Sequence, residues 1–370
     1  METTQIAKYR KYMALAILVG ALFVLSALDT PQDGYRVRGS FLGRHQEWVV
    51  DHPLAAAFIR GQPRAAVRGL DTLQPDTQTL AYLSHRYSPD LATLFFAESH
   101  YRQAANRQAQ DQYEAFVNTL MQGDSTLDWS ALRSYYVLFV PGLGYESDTS
   151  TGANWARQRR VLSAYQVPHE LVQTQEWGRA SANASLIGAR VRALSEQGEK
   201  LMIVSASKGS LDVALALDKL EASGEGMGLK AWVSVGGILR GSPVADAYLK
   251  APQCWWAGGM LWLKGLSFDL LRDMSYAQRS QAFDQLRIPR DIFIVHLVGA
   301  PLQASLSQEI RRRYEFMASL GPNDGLTPLA DQLSEQGRVI TELGLDHYFR
   351  DSLIEVKTLA LALSVAQLNP

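Results

Sequence analysis

Five short apolar runs, alternating with helical stretches, constrain this chain more than any other feature. Tyr135-Tyr136-Val137-Leu138-Phe139-Val140 is continuous and rich in β-branched and aromatic side chains, as expected of a strand buried on both faces. Leu201-Met202-Ile203-Val204, Ala231-Trp232-Val233-Ser234-Val235 and the span 292–298 repeat the pattern, and Arg338 to Glu342 gives a last strand. A weaker strand is read around Glu170 to Thr174. Helical patterns fall between these runs, at 155–165, 181–196 and 209–220, and a closing helix covers 352–367. Strands alternating with helices of this length predict an α/β fold, a mostly parallel sheet with helices on both faces.

The remaining regions are assigned around that sheet. Residues 51–130 read as a helical N-terminal region, and 131–370 as the α/β domain. The segment 243–283 interrupts the rhythm with Trp255, Trp256, Trp262 and Phe268 among leucines and methionines. It is either a helix pair packed on the sheet or a helical cap over an apolar pocket at the sheet's C-terminal edge. Residues 30–50 carry Pro31, Gly34, Gly39 and Gly43 in a polar stretch and read as a tether.

Residues 1–29 form a targeting segment. Lys8, Arg10 and Lys11 precede a charge-free run, 12–28, which Asp29 and Asp33 close. At helical rise that run covers about 25 Å, slightly short of a ~30 Å hydrocarbon core. Basic residues before it and acidic ones after it predict a single-pass membrane protein with the remainder of the chain outside the cytoplasm, on the periplasmic side if the source is bacterial. A cleavable secretory signal is the alternative, although Ser26-Ala27-Leu28 places leucine where a small residue is wanted.

Composition narrows the partners. With 36 Lys and Arg against 37 Asp and Glu, the net charge of −1 argues against nucleic acid. The one cysteine, Cys254, excludes an internal disulfide framework and a cysteine zinc cluster, and the seven histidines show no metal-site spacing. No cofactor and no metal are expected. The remaining class is a protein acting on a small or lipid-like molecule.

The chemistry concentrates in Val204-Ser205-Ala206-Ser207-Lys208-Gly209-Ser210, between a buried strand and a helix. A serine on so tight a strand-to-helix turn projects its hydroxyl from the sheet, with helix N-terminal amides aimed at the same point. Positions two before and two after it must be small because backbone segments approach closely there. Ser205 and Gly209 occupy them, so the usual G-x-S-x-G becomes S-x-S-x-G.

On these residues the chain resembles the α/β-hydrolases and is similar to bacterial lipases and esterases. Four local matches occur in order. Residues 137–144, VLFVPGLG, resemble the strand and oxyanion loop, with Pro141 where the family usually has histidine. SASKGS resembles the nucleophile elbow. Gly241-Ser242-Pro243-Val244-Ala245-Asp246 is similar to the family's G-[ST]-P-x-A-D stretch. Asn323-Asp324-Gly325-Leu326-Thr327-Pro328 and Leu345-Asp346-His347 resemble the acid and histidine loops.

The resemblance implies Ser207 as nucleophile, His347 as general base and Asp324 as its carboxylate partner, in the order this fold imposes. Asp346 is the nearest rival acid, but a sequence neighbour cannot easily turn its carboxylate onto the adjacent imidazole. Asp291 precedes its strand, which is the wrong sheet edge. His296, inside a strand, reads as core, and His169 lies at a strand start. The Leu143 and Lys208 backbone N–H groups are the expected oxyanion donors. The Lys208 side chain is either solvated on the first helical turn or a cation facing anionic substrate groups. The resulting expectation is a membrane-associated or exported serine hydrolase cleaving small-molecule or lipid carboxylic esters. The alternative is a non-catalytic module of the same fold, tethered to the membrane.

Overall fold

The computed structural model describes residues 34–62, 70–123, 127–226, 228–251 and 268–369. The apolar run 12–28 and Trp255, Trp256 and Trp262 lie outside the described residues. Among the described residues no helix is long and apolar enough to cross a membrane.

Residues 30–50, expected as a tether, instead carry an antiparallel hairpin from Tyr35 onward: β1 (Tyr35–Phe41) pairs with β2 (Arg44–Val50). Alternation explains it. Val37, Phe41, Trp48 and Val50 face inward while charged neighbours face out. Leu42 and Gly43, both at positive φ (49° and 78°), form the two-residue turn whose twist suits a hairpin. The glycines that looked like linker punctuation are therefore turn and packing positions: a Cβ on Gly39 would lie 2.9 Å from Ile59.

Among the described residues, helices α1 (Pro53–Ile59), α2 (Thr77–Arg86), α3 (Pro89–Tyr101) and α4 (Ala104–Met121) follow. Ser88 caps α3 by accepting the Leu91 N–H at 2.9 Å, with Pro89 at the first helical position, where its missing N–H costs nothing.

The chain then alternates: β3 (Tyr136–Val140), α5 (Ala156–Ala164), β4 (His169–Leu171), α6 (Ala180–Glu196), β5 (Leu201–Ala206), α7 (Lys208–Ser223) and β6 (Leu229–Val235). After α8 (Pro243–Leu249), α9 (Asp269–Asp273) and α10 (Tyr276–Phe283) come β7 (Phe293–Ala300), α11 (Gln308–Met317), β8 (Arg338–Leu343) and α12 (Ile354–Leu368).

The six-stranded sheet has the order β4-β3-β5-β6-β7-β8, and every neighbouring pair is parallel. One face is covered by α4, α5 and α12, through Tyr113, Leu162 and Leu363; the other by α6 and α7, through Ile187 and Leu217. A third apolar cluster joins the hairpin, α1 and α3 to Val298, Ala300, Val339 and Leu343 on the last two strands. Residues 35–370 thus form one compact unit. The parallel arrangement places all strand C-termini at one edge, where α/β folds build their sites.

Candidate active site

Strand β5 runs apolar to Val204 and then turns into α7 within one residue, Ser207. That residue holds φ 53° and ψ −124°, a conformation side chains rarely adopt. The turn is held by Ser207 N–H donating to Val235 O at 3.1 Å and Ile238 N–H donating to Ser207 O at 3.2 Å. The glycine two residues on is obligatory: a Cβ on Gly209 would lie 2.3 Å from Pro141 O. The first small position behaves differently. Ser205 is fully buried, and its hydroxyl accepts the Trp232 indole N–H at 2.8 Å and meets Ser210 Oγ at 2.9 Å. Serine here is a polar bridge between β5, β6 and α7, as well as a residue small enough to fit.

His347 lies in the loop after β8, four residues beyond Leu343, and reaches back over the sheet edge. Its Nε2 is 2.9 Å from Ser207 Oγ and its Nδ1 is 2.7 Å from Asp324 Oδ2. The ring is nearly sealed, with 5% of the side chain exposed. Its own N–H donates to Asp324 O at 3.0 Å, so backbone and side chain both tie it to the acid loop.

Asp324 is wholly buried and its carboxylate is surrounded by donors. Oδ1 accepts Leu326 and Thr327 N–H at 2.8 and 2.9 Å; Oδ2 accepts Gln332 Nε2 at 3.1 Å in addition to the imidazole. Asn323 shapes the turn beneath, accepting Gly325 N–H at 3.0 Å and donating to Tyr314 O and Gly321 O, both at 3.2 Å. A buried carboxylate with this many donors holds its orientation.

The rival residues lie elsewhere. Asp346 accepts Ser307 N–H and Tyr348 N–H, both at 3.1 Å, turned away from the imidazole. His296 is buried within β7, bonded to Ser334 and lowered to about 3 by loss of water. His169 opens β4 and contacts Val167 O at 2.8 Å.

The loop after β3 approaches the elbow closely: a Cβ on Gly142 would sit 3.5 Å from Ser207 Cβ. Gly142 N–H donates to Ala153 O and Gly144 N–H to Glu176 O, each at 3.3 Å. Among the described residues the intervening Leu143 N–H, and that of Lys208 on the first turn of α7, donate to no protein group. Leu143 lines the same cavity as Ser207, and Lys208 follows Ser207 directly in the chain.

Neither reading of the Lys208 side chain fits the structure. Only 2% exposed, it is neither solvated nor turned toward a ligand; its ammonium donates to both Asp212 oxygens, at 2.9 and 2.8 Å. The pair sits one helical turn apart on the inward face of α7, and Asn183 completes it by donating to Asp212 at 2.9 Å. Burial lifts the Asp212 carboxyl to about 6, loss of water outweighing the attraction of Lys208.

The G-S-P-x-A-D stretch links the elements around the site. Thr327 Oγ1 donates to Gly241 O at 3.0 Å, and Ser242 Oγ donates to Leu326 O, so the loop after β6 braces the acid turn. Asp246 in turn accepts Ser275 Oγ and, at 3.0 Å, Ala277 N–H, fixing α8 against α10. The described part of the 243–283 segment lines a cavity of about 730 Å³ that opens at Ser207 and His347, through Val244, Tyr248, Leu271 and Met274. That volume lies within the usual ~300–1,000 Å³ for ligand sites.

Sequence reasoning missed Gln332, Asn183 and Asp212. Only Asp212 had a signal, its i,i+4 spacing from Lys208.

No family model and no curated protein sequence matches the chain. Among solved structures it is similar to a metagenomic carboxyl esterase, with 20% identity and a TM-score of 0.52 over 64% of this chain and 77% of that one. It is also similar to a lipase of Bacillus licheniformis in its mature form, with 18% identity and a TM-score of 0.50 over 63% and 91%. Together with the six-stranded parallel sheet and the strained turn after its third strand, these likenesses establish that the chain has the α/β-hydrolase fold.

Proposed function

We propose that the protein is a serine hydrolase of carboxylic esters. The observation that carries this reading is one imidazole bridging a strained hydroxyl and a buried carboxylate, at 2.9 and 2.7 Å.

Ser207 Oγ attacks the ester carbonyl while His347 Nε2 takes the hydroxyl proton, and Asp324 stabilises the imidazolium that forms. The carbonyl oxygen becomes an oxyanion, received by the Leu143 and Lys208 N–H groups. Collapse expels the alcohol, which takes the proton from His347, and leaves an acyl group on Ser207. Water, deprotonated by the same imidazole, then releases the acid. The two similar structures are named a carboxyl esterase and a lipase, which favours esters as the substrate class. The basic flank and apolar run of residues 8–28 support anchorage or export, with the hydrolase outside the cytoplasm.

Turnover of p-nitrophenyl butyrate by the full chain tests the proposal. Wild-type protein should hydrolyse it, and His347→Ala should lower kcat by several orders of magnitude while leaving the fold intact. A wild type with no turnover would favour the non-catalytic, membrane-tethered module instead.

A further inference from the structure

The cavity lined by Ser207 is also lined by residues far below the sheet's C-terminal edge. Side chains along a strand alternate between faces, and those lining it belong to one face: Val137 and Phe139 of β3, Met202, Val204 and Ala206 of β5, and Val233 of β6. Opposite them stand Leu162 of α5 and Thr358, Leu361 and Ala362 of α12. From Ala206, beside the nucleophile, to Met202 the apolar trough runs four residues down the strand, ~13 Å at strand rise. Native cores hold few voids larger than a water molecule. An apolar cavity of this kind stays dry and takes apolar guests.

The sideways limit of the space is a charged cluster whose members pair with one another. Glu342, 1% exposed on the same face of β8, accepts Tyr113 Oη, Arg44 Nη1 at 2.9 Å and Lys357 Nζ at 2.7 Å. Three donors, two of them cations, already hold this carboxylate, so the cluster acts as a wall and not as a receptor for a polar terminus. The guest the space suits is an unsubstituted alkyl chain, directed down the sheet and away from the charges.

We propose that the acyl half of the substrate threads between the sheet and α12, its carbonyl at Ser207 and its tail beside Met202 and Ala362, which makes α12 a specificity determinant. This rests on the reading of Ser207 as nucleophile. Val244 and Tyr248 of α8 and Leu271 of α9 then line the alcohol side.

Alkyl fluorophosphonates test it with the full chain, because their alkyl group stands in for the acyl tail. Ser207 Oγ forms a bond to phosphorus, the P–F bond breaks, fluoride leaves and the hydroxyl proton passes to His347. Labelling rates are compared for ethyl and decyl probes on wild type and on Ala362→Phe, which fills the trough distant from the reacting atoms. The decyl-to-ethyl rate ratio should fall roughly tenfold or more in the variant. A ratio unchanged within about twofold overturns the tunnel while leaving Ser207 labelled. Failure of both probes on wild type overturns the nucleophile and the tunnel with it. Thr358→Leu, a smaller filling on the same wall, should lower the ratio in the same direction and serves if Ala362→Phe does not fold.

Discussion

At the scale of single residues, the site is a set of close approaches that admit few alternatives. Asp324→Asn keeps the size of the side chain but presents an amide to the imidazole, favouring the wrong tautomer. Turnover of a p-nitrophenyl ester should drop about 10⁴-fold with the unfolding midpoint little changed. Ser205 yields a prediction of another kind. Ser205→Ala removes the acceptor of the Trp232 indole N–H in a fully buried position, and should cost about 1–3 kcal/mol in urea unfolding. Ser207, Asp324 and His347 were legible because the fold fixes their order and the strained turn demands small neighbours. The hydroxyl bridge of Ser205 was not, since it depends on Trp232, a residue 27 positions away whose side chain meets it only once β5 and β6 pair.

At the scale of elements, α7 carries a buried ion pair directly beneath the serine turn. Removing one partner strands the other charge in the core. Lys208→Met should therefore cost about 3–5 kcal/mol, whereas Lys208→Met with Asp212→Leu should recover most of that loss in chemical denaturation. The pH dependence has a definite sign. Between the ordinary value of 3.8 and about 6 the folded chain keeps a proton on Asp212 that the unfolded chain has released. This carboxyl therefore favours the folded state most below that window, and its contribution declines as pH rises through it. Unfolding free energies measured at intervals across the window should show a decline that is shallower in Asp212→Asn, with Asp331, also raised to about 6 by burial, contributing to what remains. Sequence periodicity located the strands and helices of the sheet to within a few residues, because continuous apolar runs of five or six side chains fit little else. The β1–β2 hairpin escaped it, since its glycines resembled linker punctuation and only Val37, Phe41, Trp48 and Val50 carried the alternation.

For the molecule as a whole, the hairpin and helices α1 to α4 cover what would otherwise be an open flank. Val298, Ala300, Val339 and Leu343 on the last two strands are buried against them, and Arg44 reaches from the start of β2 to Glu342 on β8. A chain cut to residues 131–370 exposes that apolar surface and strands Glu342 with one cation fewer. It should bind a hydrophobic dye and lose its near-ultraviolet circular dichroism, while residues 30–370 should remain cooperative in thermal unfolding. The helical character of this region could be read from its pattern, but not its contact with the sheet, because contacts across some 300 positions leave no trace in local spacing.

The central claim is that Ser207, activated by His347, forms a covalent intermediate. Intact-protein mass spectrometry after exposure to an ethyl fluorophosphonate reads this directly. The wild type should gain one adduct, mapping to the peptide that contains Ser207, and Ser207→Ala should gain none. An adduct of equal yield on the alanine variant would contradict the account.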